Sequence, residues 1–243
     1  YRYWAAPNPS GFLRSGLGER KVAVLIDGGF FLKCLRHVRP DVDGEDPEAV
    51  ANAIWKLIAA HLEAENRFVC ASHAHELLYR SFYYDARPYE GKSQKPVSGA
   101  PIDYSRTDAA LFRTSLFQQL RKVPNMAVRL GDVRPDRGWV LNQRAQKDLL
   151  RGKRAVADLT DNDFTMSLRQ KGVDMRLGVD IASITLKRQA QTIVLVSGDS
   201  DFVAAAKLAR REGVKVVLDP LWRKISEDLF EHIDVLRSGC PRP

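Results

Sequence analysis

The chain has 243 residues, 44% of them apolar, enough for one large domain with a substantial core. No apolar stretch approaches the roughly 18 residues that span a bilayer, and no charged-then-apolar leader can be read, so the expected setting is cytoplasmic, without membrane contact. Cys34, Cys70 and Cys240 are odd in number and far apart. They form neither a disulfide framework nor a C-x-x-C pair, which fits a reducing compartment.

The net charge of +8 is unevenly spread: residues 80–154 carry 16 Lys/Arg against 7 Asp/Glu, while the remainder is close to neutral. Mixed surface charge serves solubility in most proteins. A segregated excess interleaved with Tyr83, Tyr84, Tyr89, Tyr104 and Trp139 better suits a polyanion whose phosphates would release counterions.

Residues 1–20 mix Pro, Gly and aromatics without periodicity and read as an irregular arm. Lys21–Asp27 is an apolar, β-branched run ending in Asp-Gly-Gly, the signature of a buried parallel strand. Pro47 to Glu65 reads as a helix, with Pro47 in its first turn and Ala53 and Leu57 at helical spacing. Residues 78–85 form a second strand, and the Pro- and Gly-rich 86–105 a long exposed loop. Ser105 and Asp108 have capping-box spacing ahead of a helix to about Val123. A third strand covers Met126–Leu130, a turn Arg134–Gly138, and a short helix Asn142–Leu150. Asp174 to Arg188 is helical, Thr192–Ser197 is a fourth strand, and Asp201–Glu212 is a helix stopped by Gly213. Lys215–Leu218 is a fifth strand, before a last helix over Arg223–His232. Alternating strands and helices imply βαβ units, so the expectation is one α/β domain over 21–236 with a tail at 237–243. Its mostly parallel, five-stranded sheet would carry helices on both faces.

In such a sheet, ligands bind beyond the carboxyl ends of the strands. Asp27 ends strand one, and Asp199 and Asp201 lie in the turn after strand four. Asp174 and Asp180 belong to the helix between them. Each acid has a bland reading: Asp174 and Asp199 as helix caps, Asp201 as a first-turn acid, Asp27 as a turn former. Jointly these readings weaken, because gathered like charges repel and a hard divalent cation with oxygen ligands offsets that repulsion. Six helical residues turn about 600°, so Asp174 and Asp180 point some 120° apart. Asp180 sits among Leu177, Val179, Ile181 and Ile184, where an unpaired carboxylate is costly, and it ranks above Asp174 on that ground. There is no G-x-G-x-x-G after strand one, no P-loop and no serine nucleophile elbow. Cys70, His73 and His75 lack a fourth zinc ligand and standard spacing.

Taken together, V-L-I-D-G-G at 24–29, Y-Y-D at 83–85, K-G-V-D at 171–174 with Asp180, and V-S-G-D-S-D-F at 196–202 resemble the LabA-like branch of the NYN family. That family lies within the PIN-like nuclease superfamily. The resemblance covers about residues 21–220 and implies a three-layer PIN-like fold with metal-dependent endoribonuclease activity. It assigns Asp27, Asp180, Asp199 and Asp201 to a Mg²⁺ or Mn²⁺ site and matches Asp174 to the K-G-V-D acid. Many relatives have Asn three residues after the first acid; Phe30 stands there in this chain.

On this reading the metal polarises the scissile phosphate and activates a water. Arg87, Lys92, Lys95, Arg151, Lys153 and Arg154 would hold the RNA backbone, although each alone also reads as a solvated loop charge. The alternative is a catalytically weakened NYN-fold module that binds RNA or docks a protein partner through its aromatic arm. A homo-oligomer is compatible with either.

Overall fold

The computed structural model describes residues 20–69 and 71–243. The expected arm up to residue 19, and the sulfur of the Cys70 zinc reading, therefore lie outside the described residues.

β1 (Val22–Asp27) is buried from Val22 to Ile26, as a strand covered on both faces must be. It turns directly into α1 (Gly28–Val38), a helix that the sequence reading missed because Asp-Gly-Gly signals a turn. Asp27 caps this helix, accepting a hydrogen bond from the Phe30 backbone N–H at 3.0 Å. Gly28 is required: a Cβ there would drive into the Tyr83 ring.

α2 (Pro47–Val69) starts at Pro47 as expected and continues past Glu65, burying Val50, Ile54, Leu57, Ile58 and Leu62. β2 (Leu78–Ala86) follows. The segment expected as a loop contains a small hairpin, β3 (Lys92–Gln94) with β4 (Pro101–Asp103). α3 (Asp108–Lys122) is capped by Thr107 rather than Ser105, the Thr107 side chain accepting from Ala110 N–H.

The largest correction concerns residues 126–171. β5 (Met126–Leu141) runs far beyond Leu130, and β6 (Phe164–Lys171) folds back on it antiparallel, with α4 (Gln143–Leu150) between them. Arg134–Gly138, read as a turn, is an irregularity inside β5 where the register shifts between Pro135 and Gly138. Proline and glycine serve a bulge in an outer ribbon as readily as a turn, so composition could not separate the two.

α5 (Val173–Leu186), β7 (Thr192–Val196), α6 (Val203–Arg211) and β8 (Lys215–Asp219) then complete two crossovers. α7 (Glu227–Glu231) is much shorter than the expected helix over 223–232, because Ser226 caps it late. β9 (Val235–Leu236) closes the sheet.

The sheet order is β6-β5-β2-β1-β7-β8-β9, and every neighbouring pair except β5–β6 is parallel. Seven strands replace the expected five. β6 escaped notice because it is polar and half exposed, and β9 because it has two residues. α1, α2 and α3 cover one face, packing Phe31, Ile54, Leu57 and Leu116 on Ile26 and Tyr83. α5, α6 and α7 cover the other, packing Ile181, Ala206 and Leu229 on Leu25, Phe82 and Tyr84. Residues 237–240, set apart as a tail by the sequence reading, are tied to this body by Arg237 N–H to Leu218 O and Gly239 N–H to Asp219. Among the described residues, no helix is long and apolar enough to cross a membrane.

Candidate metal centre at the carboxyl edge

β1 lies centrally in the sheet, so Asp27 emerges at the middle of the carboxyl edge. Burial pushes its carboxyl up from the ordinary 3.8, the Phe30 N–H bond opposes this, and the negative charges of Asp174 and Asp85 push it up further. Ser197, at the end of β7, holds its hydroxyl 3.4 Å from Asp27 Oδ2. Gly198 follows, and a Cβ on it would meet the Phe30 ring at 2.9 Å. The turns after β1 and β7 are thus packed against each other through Phe30.

Asp199 caps the short turn at 200–202, accepting from Asp201 N–H at 3.0 Å, and both acids are exposed. Asp174 reaches the same edge for a local reason. Gly172 adopts φ +78, which lets the chain swing from β6 into α5. Val173 then anchors the entry by packing against Gly131, whose missing Cβ would meet Lys171 O at 2.5 Å and Val173 Cγ2 at 2.8 Å. Asp174 is left in the first turn of the helix, where burial and then the charges of Asp199 and Asp201 push its carboxyl up. Asp27, Asp174, Asp199 and Asp201 thus belong to one electrostatic neighbourhood.

Asp180 does not join it. Lower on α5, its carboxylate accepts from the Tyr84 hydroxyl at 2.8 Å and lies 3.4 Å from Arg129 Nε. The expected ranking of Asp180 above Asp174 is reversed. The cost of an unpaired carboxylate among Leu177, Ile181 and Ile184 is met by a phenol and a guanidinium.

Asp85 and Arg113 were not assigned a role from sequence. Asp85 ends β2 one register step beyond Asp27, is buried, and forms a close ion pair with Arg113 of α3. Burial pushes its carboxyl up, and Arg113 opposes that. The strand-end rule that selected Asp27 applies equally to Asp85.

The carboxylates at this edge supply only hard oxygen donors, the set that divalent magnesium or manganese favours. Among the described residues, three potential ligand atoms come within 4.8 Å of one another only at Asp228, Glu231 and His232 on α7. The edge aspartates stand wider apart, a spacing compatible with an ion held partly through its own waters.

The basic residues divide. Arg87, Arg151 and Lys153 are exposed, Lys92 sits 3.9 Å from Asp103, and Lys95 is half-buried. Trp139 of β5 donates from Nε1 to Gln94 O at 2.9 Å. Asp161 accepts from Val97 N–H at 3.0 Å and from Ser98. The β3–β4 hairpin is therefore bound to the β5–β6 ribbon, bringing two basic segments distant in sequence onto one flank. Arg154 departs from the set, because its guanidinium grips Asp163 at 2.8 and 2.7 Å and Asp158 O at 2.6 Å.

The fold and its edge define an α/β protein of the open, mostly parallel class, with acids collected beyond the strand ends. The NYN domain family matches residues 117–234, from the last turns of α3 to just past α7. NYN domains are generally nucleases. No curated protein and no solved structure matches the chain.

Proposed function

We propose that the chain is a NYN-type, metal-dependent endoribonuclease acting in the cytoplasm. The single observation that supports this reading best is the charge grouping at the carboxyl edge. Asp27 lies beside Asp174 and Asp85, and Asp174 in turn lies beside Asp199 and Asp201. Such a grouping is unfavourable without a cation. Asp27, Asp174, Asp199 and Asp201 would hold Mg²⁺ or Mn²⁺; once bound, the ion supplies Lewis acidity and a water of lowered pKa.

The chain's own residues do the rest. Phe30 and Gly198 fix the two acid-bearing turns against each other, and Gly172 aims Asp174 at them. Arg113 neutralises Asp85, so that this buried acid adds less repulsion to Asp27. Arg87, Lys92, Lys95, Arg151 and Lys153 hold the RNA backbone, while Arg154 keeps the ribbon loop in shape. Asp180 orders α5 against β2 and β5.

A second reading rests on Phe30. An aromatic ring packed on Gly198 stands between the acid turns where the resemblance leads one to expect an asparagine. On that reading the domain binds RNA without cutting it. Incubating the protein with generic RNA, with and without Mn²⁺, separates the two. Mn²⁺-dependent cleavage abolished by Asp174→Asn supports the nuclease, and salt-sensitive binding with no cleavage supports the binding module.

A further inference from the structure

At the carboxyl end of β8, Asp219 is fully buried and draws together three distant parts of the chain. It accepts from Leu221 N–H and Gly239 N–H, each at 2.8 Å, and His61 Nε2 lies 2.8 Å away. Arg237 faces His61 Nδ1 at 3.4 Å and cannot accept, so Nδ1 is the acceptor and Nε2 the donor to Asp219. This staple holds Leu221 and Trp222 at φ 47 and 64. Two successive side-chain-bearing residues in the left-handed region persist only where the surroundings over-determine them, as ligand clamps do. Trp222 is fixed further by donating from Nε1 to Cys240 O at 3.1 Å.

The strained turn forms one wall of a cavity of about 650 Å³. Trp222 and Phe230 give it aromatic surface; Arg223, Lys224 and Arg242 give it cationic surface, and Glu227 is the single acid on its lining. Trp222 packs on the first core and Ile225 on the second, so the segment crosses the carboxyl edge of the sheet. α7, which supplies Phe230, packs against the turn at 200–202, next to Asp199 and Asp201. The cavity is therefore a neighbour of the acid edge and separate from it.

We propose that this cavity is a nucleotide subsite, taking one base of a single-stranded RNA against its aromatic walls and that nucleotide's phosphate on Arg223, Lys224 and Arg242. A ring system with an attached anion fits the combination, because every base offers a π-face and the cations track the phosphate. The volume lies within the range of small-ligand sites. The identity of the ligand as RNA rests on the nuclease reading; the binding itself does not require turnover.

The experiment measures binding of adenosine 5′-monophosphate, adenosine and inorganic phosphate by calorimetry with EDTA present, so that no cleavage contributes. Wild type should bind the nucleotide more tightly than either fragment. Phe230→Ala should weaken it roughly tenfold. Lys224→Glu should weaken the nucleotide and phosphate but leave adenosine little changed. Both positions are exposed, and unchanged melting temperatures would confirm intact folds. Equal affinity for phosphate and nucleotide, or nucleotide binding unaffected by both variants, overturns the subsite. Nucleotide binding lost in the variants, together with no Mn²⁺-dependent RNA cleavage by wild type, supports the subsite and defeats the nuclease reading instead. RNA cleavage without nucleotide binding at the cavity does the reverse.

Discussion

The Tyr84 hydroxyl donates to Asp180 at 2.8 Å, across 96 residues of sequence. Tyr84 is itself buried, and its hydroxyl is held protonated far above the ordinary tyrosine range by burial and by the Asp180 charge. Arg129 approaches the same carboxylate and also lies over the Phe82 ring. Asp180 is thus committed to the contact between α5 and the sheet, whereas Asp174 keeps an exposed carboxylate toward Asp199 and Asp201.

That division predicts unequal effects of isosteric substitution. Asp174→Asn should lower Mn²⁺-dependent RNA cleavage by at least about 100-fold, since even groups that only orient metal ligands cost about 10- to 100-fold when removed. Asp180→Asn keeps an acceptor for Tyr84 and should stay within a few-fold of wild type. Single-turnover cleavage rates check both, and a loss at Asp180 equal to that at Asp174 would restore Asp180 to the metal site.

Asp199→Asn preserves the cap on Asp201 N–H and removes one charge from the edge. In EDTA the variant should be as stable as wild type or more so. Wild type should gain more in melting temperature from added Mn²⁺, because a ligand bound only by the native state stabilises it by mass action. Equal metal responses in the two proteins would remove Asp199 from the site.

Arg154 should behave as a structural residue. Its guanidinium holds the Asp163 carboxyl well below the ordinary 3.8. A depressed native value means that the pair contributes stability above the unfolded value, and that this is lost as pH falls from about 4 downward. Arg154→Ala should therefore flatten the acid limb of the stability profile and leave the salt dependence of RNA binding unchanged. Arg151→Glu with Lys153→Glu should do the opposite, weakening binding and reducing its salt slope. Thermal melts from pH 3 to 7 and RNA titrations at two salt concentrations separate these outcomes.

His61→Ala should destabilise the fold by about 3–5 kcal/mol, because it leaves Asp219 buried without its side-chain partner. The segment around Gly239 and Cys240 should loosen with it, since Asp219 holds both ends of that contact. Native Cys240 is buried, with a thiol pushed up to about 12. Alkylation at pH 8, followed by peptide mapping, should label Cys240 in the variant and spare it in wild type.

Much of the framework could be read from the chain itself. Val22–Asp27, Thr192–Val196 and Lys215–Asp219 are buried parallel strands, and a strand covered on both faces must be a short continuous apolar run. Asp27 and the Asp199–Asp201 turn follow such runs directly, so their place at the carboxyl edge is local information. α1 was hidden by two glycines that serve helix entry beneath Tyr83, and β6 by a polar sequence whose pairing with β5 is long-range.

Which acids meet was decided by tertiary structure alone. Asp174 and Asp180 lie on one helix, and sequence gives their relative angle but not which of them turns toward Asp27. Gly131 beneath Val173, and Tyr84 with Arg129 beneath Asp180, settle that angle from other strands. The same holds for Asp219, whose partners His61 and Gly239 are 158 and 20 residues away, and for Arg154, which looks free in sequence and is bound to Asp163. Periodicity and strand ends are properties of neighbouring residues and survive in a linear reading. The pairing of a buried charge depends on whatever the fold brings beside it, and burial makes that pairing obligatory.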